Sequence, residues 1–193
     1  MKQVGVLALQ GAFREHIQML ELCGARGFEV RKLQELKRCE AMIIPGGEST
    51  TIGRLLVEFE LLDPICNLAR EGMPILGTCA GMVLLAENII GSDQPRLGLM
   101  RVSVLRNAFG RQVDSFEARL DIPVLGPEPF PGVFIRAPYL EEVQPPAEAL
   151  ATFMGKVVMA RQGRLLSAAF HPELTSDLRV HRYFLETVAG ADV

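Results

Sequence analysis

The sequence lacks three features that would place it in common functional classes. None of its apolar runs approaches the ~20 residues that a membrane-spanning helix needs, so no bilayer-crossing segment is expected. Lysine and arginine number 20 against 23 aspartates and glutamates, and without a basic surplus nucleic acid is not an expected partner. No G-x-x-x-x-G-K-[ST] loop is present, so the chain cannot itself drive an ATP-dependent step. The 49% hydrophobic and 22% charged residues indicate a soluble globular protein.

Cysteine is also scarce, and its spacing is uninformative about metals. The four cysteines, Cys23, Cys39, Cys66 and Cys79, match neither C-x-x-C nor a zinc-ligand pattern, so no metal and no cofactor is predicted. The stretch MKQVGVLALQGAF (1–13) has no small-residue cleavage site after it and is predicted to form a first core strand rather than a signal peptide. We therefore expect a cytoplasmic protein, in whose reducing environment disulfides do not persist.

Apolar runs alternate with helical periods through the first two-fifths of the chain. This alternation predicts an α/β fold with an open, mostly parallel central sheet and helices on both faces. The predicted strands are 4–9, 28–33, 41–45 and 74–78, and the predicted helices are 14–25, 51–62 and 80–89.

After Gly91 the pattern changes to strands joined by Gly and Pro turns, which predicts antiparallel strands in the C-terminal half. These strands are 100–107, 115–124, 132–138, 156–162 and 164–170, with a hairpin at Gln162-Gly163. A last helix is predicted over 176–190, with Ser176 as its N-cap and Gly190 at its end. No linker or repeat divides the chain, so residues 1–193 are expected to form one domain.

The segment Gly77-Thr78-Cys79-Ala80-Gly81 has the pattern of a nucleophile elbow with cysteine in place of serine. A strand that turns sharply into a helix exposes its central residue at the carboxyl edge of the sheet. The helix N-terminus then faces the sulfur and favours the thiolate, and the Ala80 N–H becomes an expected oxyanion donor. A small cysteine packed at a strand–helix turn would give the same letters.

A candidate base follows a late apolar strand. His171 ends SAAFH, and Glu173 comes two residues later. In an extended segment these two side chains would project to the same side, so Glu173 could orient His171 and His171 could take the proton of Cys79. The other two histidines, His16 and His181, fall in helical patterns and are expected to be packed or surface residues.

A second strand–turn–helix occurs at AMIIPGGESTTIGRLL (41–56). Ser49 or Thr50 is expected to cap the helix, and the glycine turn could form an anion-binding nest. Beside an activated cysteine, the Gly47 N–H would be a natural second oxyanion donor. The turn is equally well explained as a loop that needs positive φ angles.

Together these motifs resemble a triad-type glutamine amidotransferase domain, which carries a G-x-C-x-G elbow, a P-G-G turn and a late H-P-E. The chain is more specifically similar to the glutaminase subunits of pyridoxal 5′-phosphate synthases. The segments that carry this likeness are GVLALQGAFREH (5–16), IPGGEST (44–50), GTCAGM (77–82), RNAFGRQVDSFE (106–117), FIRAP (134–138) and AAFHPELT (168–175).

The resemblance implies that Cys79 attacks the side-chain amide of L-glutamine, that His171 shuttles protons and that Glu173 orients His171. A thioester would form, ammonia would leave, and water would release glutamate. It further implies that glutamine is bound by Gly47, Glu48, Ser49, Arg106, Ile135 and Arg136. The guanidinium of an arginine suits the substrate α-carboxylate, although the two arginines by themselves would be taken for solvated surface residues.

The resemblance also implies a partner. Ammonia would pass to a separate (β/α)8-barrel synthase subunit within a large hetero-oligomer, and vitamin B6 biosynthesis would be the pathway. Members of this family are weak glutaminases until docked, because the Gly47 peptide must turn before the oxyanion hole forms. We expect Gln10, at the end of the first strand, to help set that peptide.

Two other functions remain open at this point. A cysteine peptidase or stress-type protein on a related α/β scaffold also uses a cysteine at an elbow, but it would show no glutamine specificity and needs no H-P-E. A non-enzymatic regulatory subunit with a decayed site is the other, and the intact set of Cys79, His171 and Glu173 argues against it.

Overall fold

The computed structural model describes residues 1–107 and 115–190 of the chain, so residues 108–114 of the RNAFGRQVDSFE segment and residues 191–193 lie outside the described part. The strands are β1 (Gln3–Leu7), β2 (Arg26–Val30), β3 (Ala41–Ile44), β4 (Ile75–Thr78), β5 (Ala86–Ile89), β6 (Met100–Leu105), β7 (Ser115–Leu120), β8 (Phe130–Ile135), β9 (Tyr139–Val143), β10 (Glu148–Phe153), β11 (Lys156–Gln162) and β12 (Leu165–Ala168). The α-helices are α1 (Phe13–Leu22), α2 (Leu33–Leu36), α3 (Ser49–Glu58), α4 (Leu62–Arg70), α5 (Ala80–Leu85) and α6 (Arg179–Tyr183).

One large sheet organises these elements, in the strand order β2-β1-β3-β4-β12-β11-β9-β6-β5, with β10 paired to β11. The strands from β2 to β12 are mutually parallel, and β5 is parallel to β6. The pairs that β11 makes, and the β6–β9 pair, are antiparallel. A separate antiparallel pair joins β7 to β8. The predicted α/β fold class and the hairpin at Gln162-Gly163 are therefore confirmed.

The core follows the central strands. Every residue of β3, β4 and β12 is buried, because a parallel strand in the middle of a sheet has helices or loops over both of its faces. That burial explains why these strands are short, uninterrupted apolar runs in the sequence. Their shared direction brings their carboxyl ends to one edge of the sheet.

The predicted helix over 80–89 is wrong in its second half. Helix α5 ends at Leu85, and Ala86–Ile89 forms β5, which pairs with β6. An apolar run as short as this fits either structure, and the tertiary pairing with β6 decides between them.

The last helix begins later than predicted, at Arg179, and Ser176 is not its cap. The side chains of Thr175 and Asp177 instead accept hydrogen bonds from the backbone N–H groups two residues ahead of each, at 3.2 and 3.0 Å. These local turns hold residues 175–178 outside the helix. The predicted strand 28–33 likewise ends at Val30, before α2.

Across residues 1–107 and 115–190, each helix is too short or too polar to cross a bilayer. In the same residues, no group of three or more His, Cys, Asp and Glu side chains is arranged to hold a metal ion. The four cysteines are all free thiols.

Candidate active site

A cavity of about 320 Å³ opens at the carboxyl edge of the sheet. The neighbouring parallel strands β3, β4 and β12 all end there, and the loops that follow them carry Gly47, Cys79 and His171 to its lining. The segment after β1 adds Gln10. In open α/β sheets this edge is where ligands bind, so parallel topology brings together residues far apart in the sequence.

Cys79 adopts the backbone of an elbow, with φ at 49° and ψ at −102°. The glycines two residues to either side allow this sharp turn from β4 into α5. A Cβ on Gly77 would lie 2.6 Å from the Gly81 backbone, and a Cβ on Gly81 would lie 2.1 Å from the carbonyl oxygen of Ile44 in β3. The G-x-C-x-G spacing therefore reflects close backbone packing that holds the strained cysteine.

His171 and Glu173 are in direct contact, with His171 Nδ1 2.7 Å from Glu173 Oε1. The reason differs from the predicted extended spacing, because Pro172–Leu174 forms a 3₁₀ turn. The His171 backbone N–H donates to the Val133 carbonyl in β8 at 2.8 Å, which anchors the histidine. Both side chains are buried, and that of Glu173 is fully shielded from solvent.

The environment of His171 favours its protonated form. Burial acts to lower its pKa, but hydrogen bonds and charge interactions with Cys79 and Glu173 outweigh that effect and raise the pKa to about 10. The imidazole packs so closely under the β3 turn that a Cβ on Gly46 would lie 2.3 Å from its Cε1 atom and 3.3 Å from the Cys79 Cβ. Cys79 and His171 therefore both line one end of the cavity, and the buried Glu173 contacts His171.

The P-G-G turn lies beside Cys79, and residues of the segment that follows β1 hold it by hydrogen bonds. The Ala12 N–H donates to the Gly46 carbonyl at 3.2 Å, which fixes one end of the Gly46–Gly47 peptide. The Gln10 side-chain oxygen accepts from the Glu48 N–H at 2.8 Å, so Gln10 does contact the peptide that follows Gly47. Its effect on the oxyanion hole stays a prediction. Gly47 and Ala80 both line the cavity.

Glu48, rather than Ser49 or Thr50, caps helix α3. Its carboxylate accepts from the Thr50 and Thr51 N–H groups at 3.0 and 2.8 Å, and from the Thr51 hydroxyl at 2.7 Å. Desolvation acts to raise the pKa of Glu48, but these bonds outweigh it and lower the pKa to about 2. Glu48 therefore lines the cavity, while its carboxylate is hydrogen-bonded to the N-terminus of α3.

Arg106 reaches the cavity from the end of β6, where it is held by two oxygens. One guanidinium nitrogen donates to Gln94 Oε1 at 2.7 Å and to Thr50 Oγ1 at 3.0 Å. The buried Ser49 hydroxyl also donates to Gln94 Oε1, at 3.4 Å. Gln94 stands in no motif of the sequence and was not predicted, but it holds two of the predicted glutamine-binding residues, Ser49 and Arg106.

Ile135 and Arg136 close the cavity from the end of β8. The Ile135 carbonyl oxygen lies 3.8 Å from the Cys79 sulfur, at the distance of a weak S–H hydrogen bond. Arg136 has a φ of 42°, a conformation that a side-chain-bearing residue rarely adopts. All of the predicted glutamine-binding residues thus line one cavity: Gly47, Glu48, Ser49, Arg106, Ile135 and Arg136.

His16 and His181 are not surface residues but members of a buried network behind the cavity. His16 Nδ1 lies 2.9 Å from His181 Nε2, and His16 Nε2 lies 3.1 Å from Thr78 Oγ1. His16 Nε2 is also 3.3 Å from Glu173 Oε2. The sequence predicted packed or surface positions for these two histidines, because no local motif indicates that the side chains of α1 and α6 meet next to Glu173.

The fold is that of a glutamine amidotransferase. The SNO glutamine amidotransferase family matches residues 6–190, and the chain belongs to that family. A solved structure described as a glutamine amidotransferase is 50% identical to this chain and superposes with a TM-score of 0.92. The match covers 97% of this chain and 99% of the chain in that structure.

Two curated relatives carry a more specific name than that of the family. A protein from Moorella thermoacetica named pyridoxal 5′-phosphate synthase subunit PdxT is 68% identical over 96% of this chain and 99% of its own length. A protein of the same name from Pelotomaculum thermopropionicum is 66% identical over 98% of this chain and 96% of its own length.

Proposed function

We propose that this protein hydrolyses L-glutamine to glutamate and ammonia and supplies the ammonia to a pyridoxal 5′-phosphate synthase, in the biosynthesis of vitamin B6. The observation that carries the proposal is the arrangement at the cavity: an elbow cysteine and a histidine both line it, and a buried glutamate lies 2.7 Å from that histidine. Membership of the glutamine amidotransferase family and the names of the relatives support the same activity.

In this mechanism the Cys79 sulfur attacks the amide carbon of glutamine. His171 receives the thiol proton and delivers it to the departing nitrogen, so that ammonia leaves and a thioester remains. Water then attacks the thioester, with His171 as the base, and glutamate is released. Glu173 holds the imidazole in orientation and stabilises its protonated form.

The negative charge that develops on the amide oxygen needs donors on the side facing away from His171. We assign this role to the backbone N–H groups of Gly47 and Ala80. Loss of one such donor typically slows turnover by ~10²–10³-fold. The cavity volume of about 320 Å³ is at the lower end of the range for small-molecule sites, which suits an amino acid substrate.

We assign recognition of glutamine to the residues that line the cavity around Cys79. Arg106, oriented by Gln94 and Thr50, and Arg136 present positive charge for the α-carboxylate. Gly47, Glu48, Ser49 and Ile135 supply the rest of the lining.

For the partner we propose a (β/α)8-barrel synthase subunit in a hetero-oligomer, which shields ammonia from solvent. We place this work in the cytoplasm, where a reducing environment preserves the Cys79 thiol.

The test replaces Cys79 with alanine. Glutaminase activity, measured as glutamate release with the synthase subunit present, should fall to background in Cys79→Ala, while the circular dichroism spectrum and synthase binding are unchanged. The matched control is Cys66→Ala, which removes another buried thiol that does not line the cavity, and it should keep its activity. Glutamate release by the Cys79→Ala protein would contradict the assignment of the nucleophile.

A second arm separates glutaminase from peptidase. A glutamine-like diazo-ketone should label Cys79 of the wild-type protein, and excess L-glutamine should block the labelling. Labelling that glutamine leaves unchanged would favour the peptidase instead. With ammonium chloride in place of glutamine, the synthase should make product even with the Cys79→Ala protein.

A further inference from the structure

The catalytic carboxylate proposed above has two oxygens, and only one of them contacts His171. Oε1 of Glu173 lies 2.7 Å from His171 Nδ1. Oε2 faces the other way, into the protein, and its contact there is His16 Nε2 at 3.3 Å. Within the described residues Oε2 accepts no hydrogen bond of good geometry. The contact with His16 is therefore the polar interaction that supports this second oxygen.

His16 is itself held on its other side. Its Nδ1 lies 2.9 Å from His181 Nε2, and both rings are fully buried. Burial lowers the pKa of each histidine, that of His181 to about 3. Both rings are therefore neutral at pH 7, and one hydrogen lies between the two facing nitrogens.

One arrangement of protons satisfies these contacts. A hydrogen on His16 Nε2 points toward Thr78 Oγ1 and the Glu173 carboxylate, where negative charge favours it. His16 Nδ1 is then an acceptor, and His181 Nε2–H donates to it. His181 Nδ1, which has no hydrogen-bond partner among the described residues, carries only a lone pair. Two neutral rings thus direct N–H dipoles toward a buried carboxylate.

We propose that His16 is a positioning residue for the glutaminase reaction, fixing Glu173 Oε2 so that Oε1 stays directed at His171. This inference rests on the proposed function, because it assigns a second support to the same carboxylate. His16 lies outside the lining of the cavity and acts through Glu173. His181 fixes which nitrogen of His16 carries the hydrogen.

The energetics of a buried carboxylate explain why such support is needed. Burial acts to raise the pKa of Glu173, while the hydrogen bond and the charge interaction with His171 act against it, and the pKa is lowered overall. Without the His16 hydrogen, the carboxylate would rotate away from His171 or take up a proton. Either change disturbs the orientation of the base, and misplacement of about 1 Å can cost ~10²-fold in rate.

The test compares two amide substitutions that differ in reach. In His16→Gln the amide nitrogen can occupy the position of Nε2 and still donate toward Glu173. In His16→Asn the shorter amide reaches only the position of Nδ1, so the contact with Glu173 is lost. We expect His16→Gln to stay within about threefold of wild type, and His16→Asn to lose ~10- to 100-fold in kcat with the KM for glutamine unchanged.

Two readouts separate positioning from general destabilisation. The acid limb of the pH profile of kcat/KM should move to higher pH in His16→Asn and stay in place in His16→Gln. The downfield proton resonance of His171 Nδ1–H should shift in His16→Asn, and this can be measured on the chain without its synthase. Leu20→Ala is the control: the residue is buried in α1 on the side facing Gly27, so it should lower stability and leave both readouts unchanged.

If the Asn variant does not fold, His16→Met, which is similar in volume and has no N–H, replaces it. The inference is overturned if the variants without the hydrogen match wild type in kcat, or if they lose rate while the acid limb and the His171 resonance stay in place. Failure of the proposed function itself would be seen elsewhere, as a wild-type protein that releases no glutamate or a Cys79→Ala variant that still does.

Discussion

At the scale of single residues, Gly46 is a position where one added carbon should disturb the site directly. A Cβ there would lie 2.3 Å from His171 Cε1, and the peptide cannot easily retreat because Ala12 N–H holds the Gly46 carbonyl. We expect Gly46→Ala to push the imidazole away from Cys79 and lower kcat by ~10²-fold or more. Glutamate release by the assembled complex measures this.

The control for Gly46 is Gly155, whose φ is 74° and whose Cβ would meet open space. Gly155→Ala introduces backbone strain in the β10–β11 turn, so it should lower stability and keep full activity. A Gly46→Ala protein as active as the Gly155→Ala protein would show that the imidazole has room to move.

The residues of the site were predictable where they stand in a local motif. Cys79 is marked by its flanking glycines, and His171 and Glu173 by a strand that ends in H-P-E. The contact between His171 and Glu173 was predicted for an extended segment, but the structure makes it across a 3₁₀ turn. The roles of Gln94 and His16 were not predicted. Gln94 acts through its contact with Arg106 and His16 through its contact with Glu173, and neither contact is signalled by the adjacent residues in the sequence.

At the scale of elements, the start of α3 depends on the Glu48 carboxylate, which accepts from two backbone N–H groups of the first turn. We expect Glu48→Ala to lower the free energy of unfolding by ~1 kcal/mol, the usual value of an N-cap, and Glu48→Asp to retain most of it. Urea unfolding at pH 7 measures the difference. Glu58→Ala, at the exposed far end of the same helix, should have no such cost. Equal unfolding midpoints for all three would contradict the capping role.

Elements with a strong local signal were predicted and weaker ones were missed. Helix α4 was overlooked because Leu61 at its N-cap offers no side-chain cap and Pro64 lies in its first turn, where proline is tolerated. Strands β9 and β10 are half-exposed and partly acidic, so they lack the apolar run that marks β3 and β4. Their structure is set by pairing with β6 and β11.

At the scale of the whole molecule, the site exists because β4 and β12 are neighbours, although many strands separate them in the chain. The general rule for open α/β sheets predicts that their carboxyl ends share an edge. It does not predict that they pair directly, with Thr78 opposite Ala168. That register places the elbow beside the loop that carries His171, and it follows from packing of the complete core.

The buried histidines also make the stability of the whole molecule depend on pH. His181 has a pKa near 6.5 in an unfolded chain and about 3 in the fold, because it is buried and faces His16, with Glu173 opposing only partly. Below pH 6.5 the unfolded state therefore binds a proton that the native state refuses. The free energy of unfolding is fully retained above pH 6.5, and it should fall by about 1.4 kcal/mol per pH unit from this residue as the pH decreases toward 3.

Urea unfolding just below pH 6.5 tests this dependence, because the carboxylates are still ionised there in both the native and the unfolded state. His181→Gln can still donate to His16 but does not titrate, so its stability should decline less steeply than that of wild type, by about one proton. Arg182→Gln, at the next and exposed position, is the control and should keep the wild-type slope. Parallel curves for wild type and His181→Gln would mean that His181 is protonated in the native state and would contradict its lowered pKa.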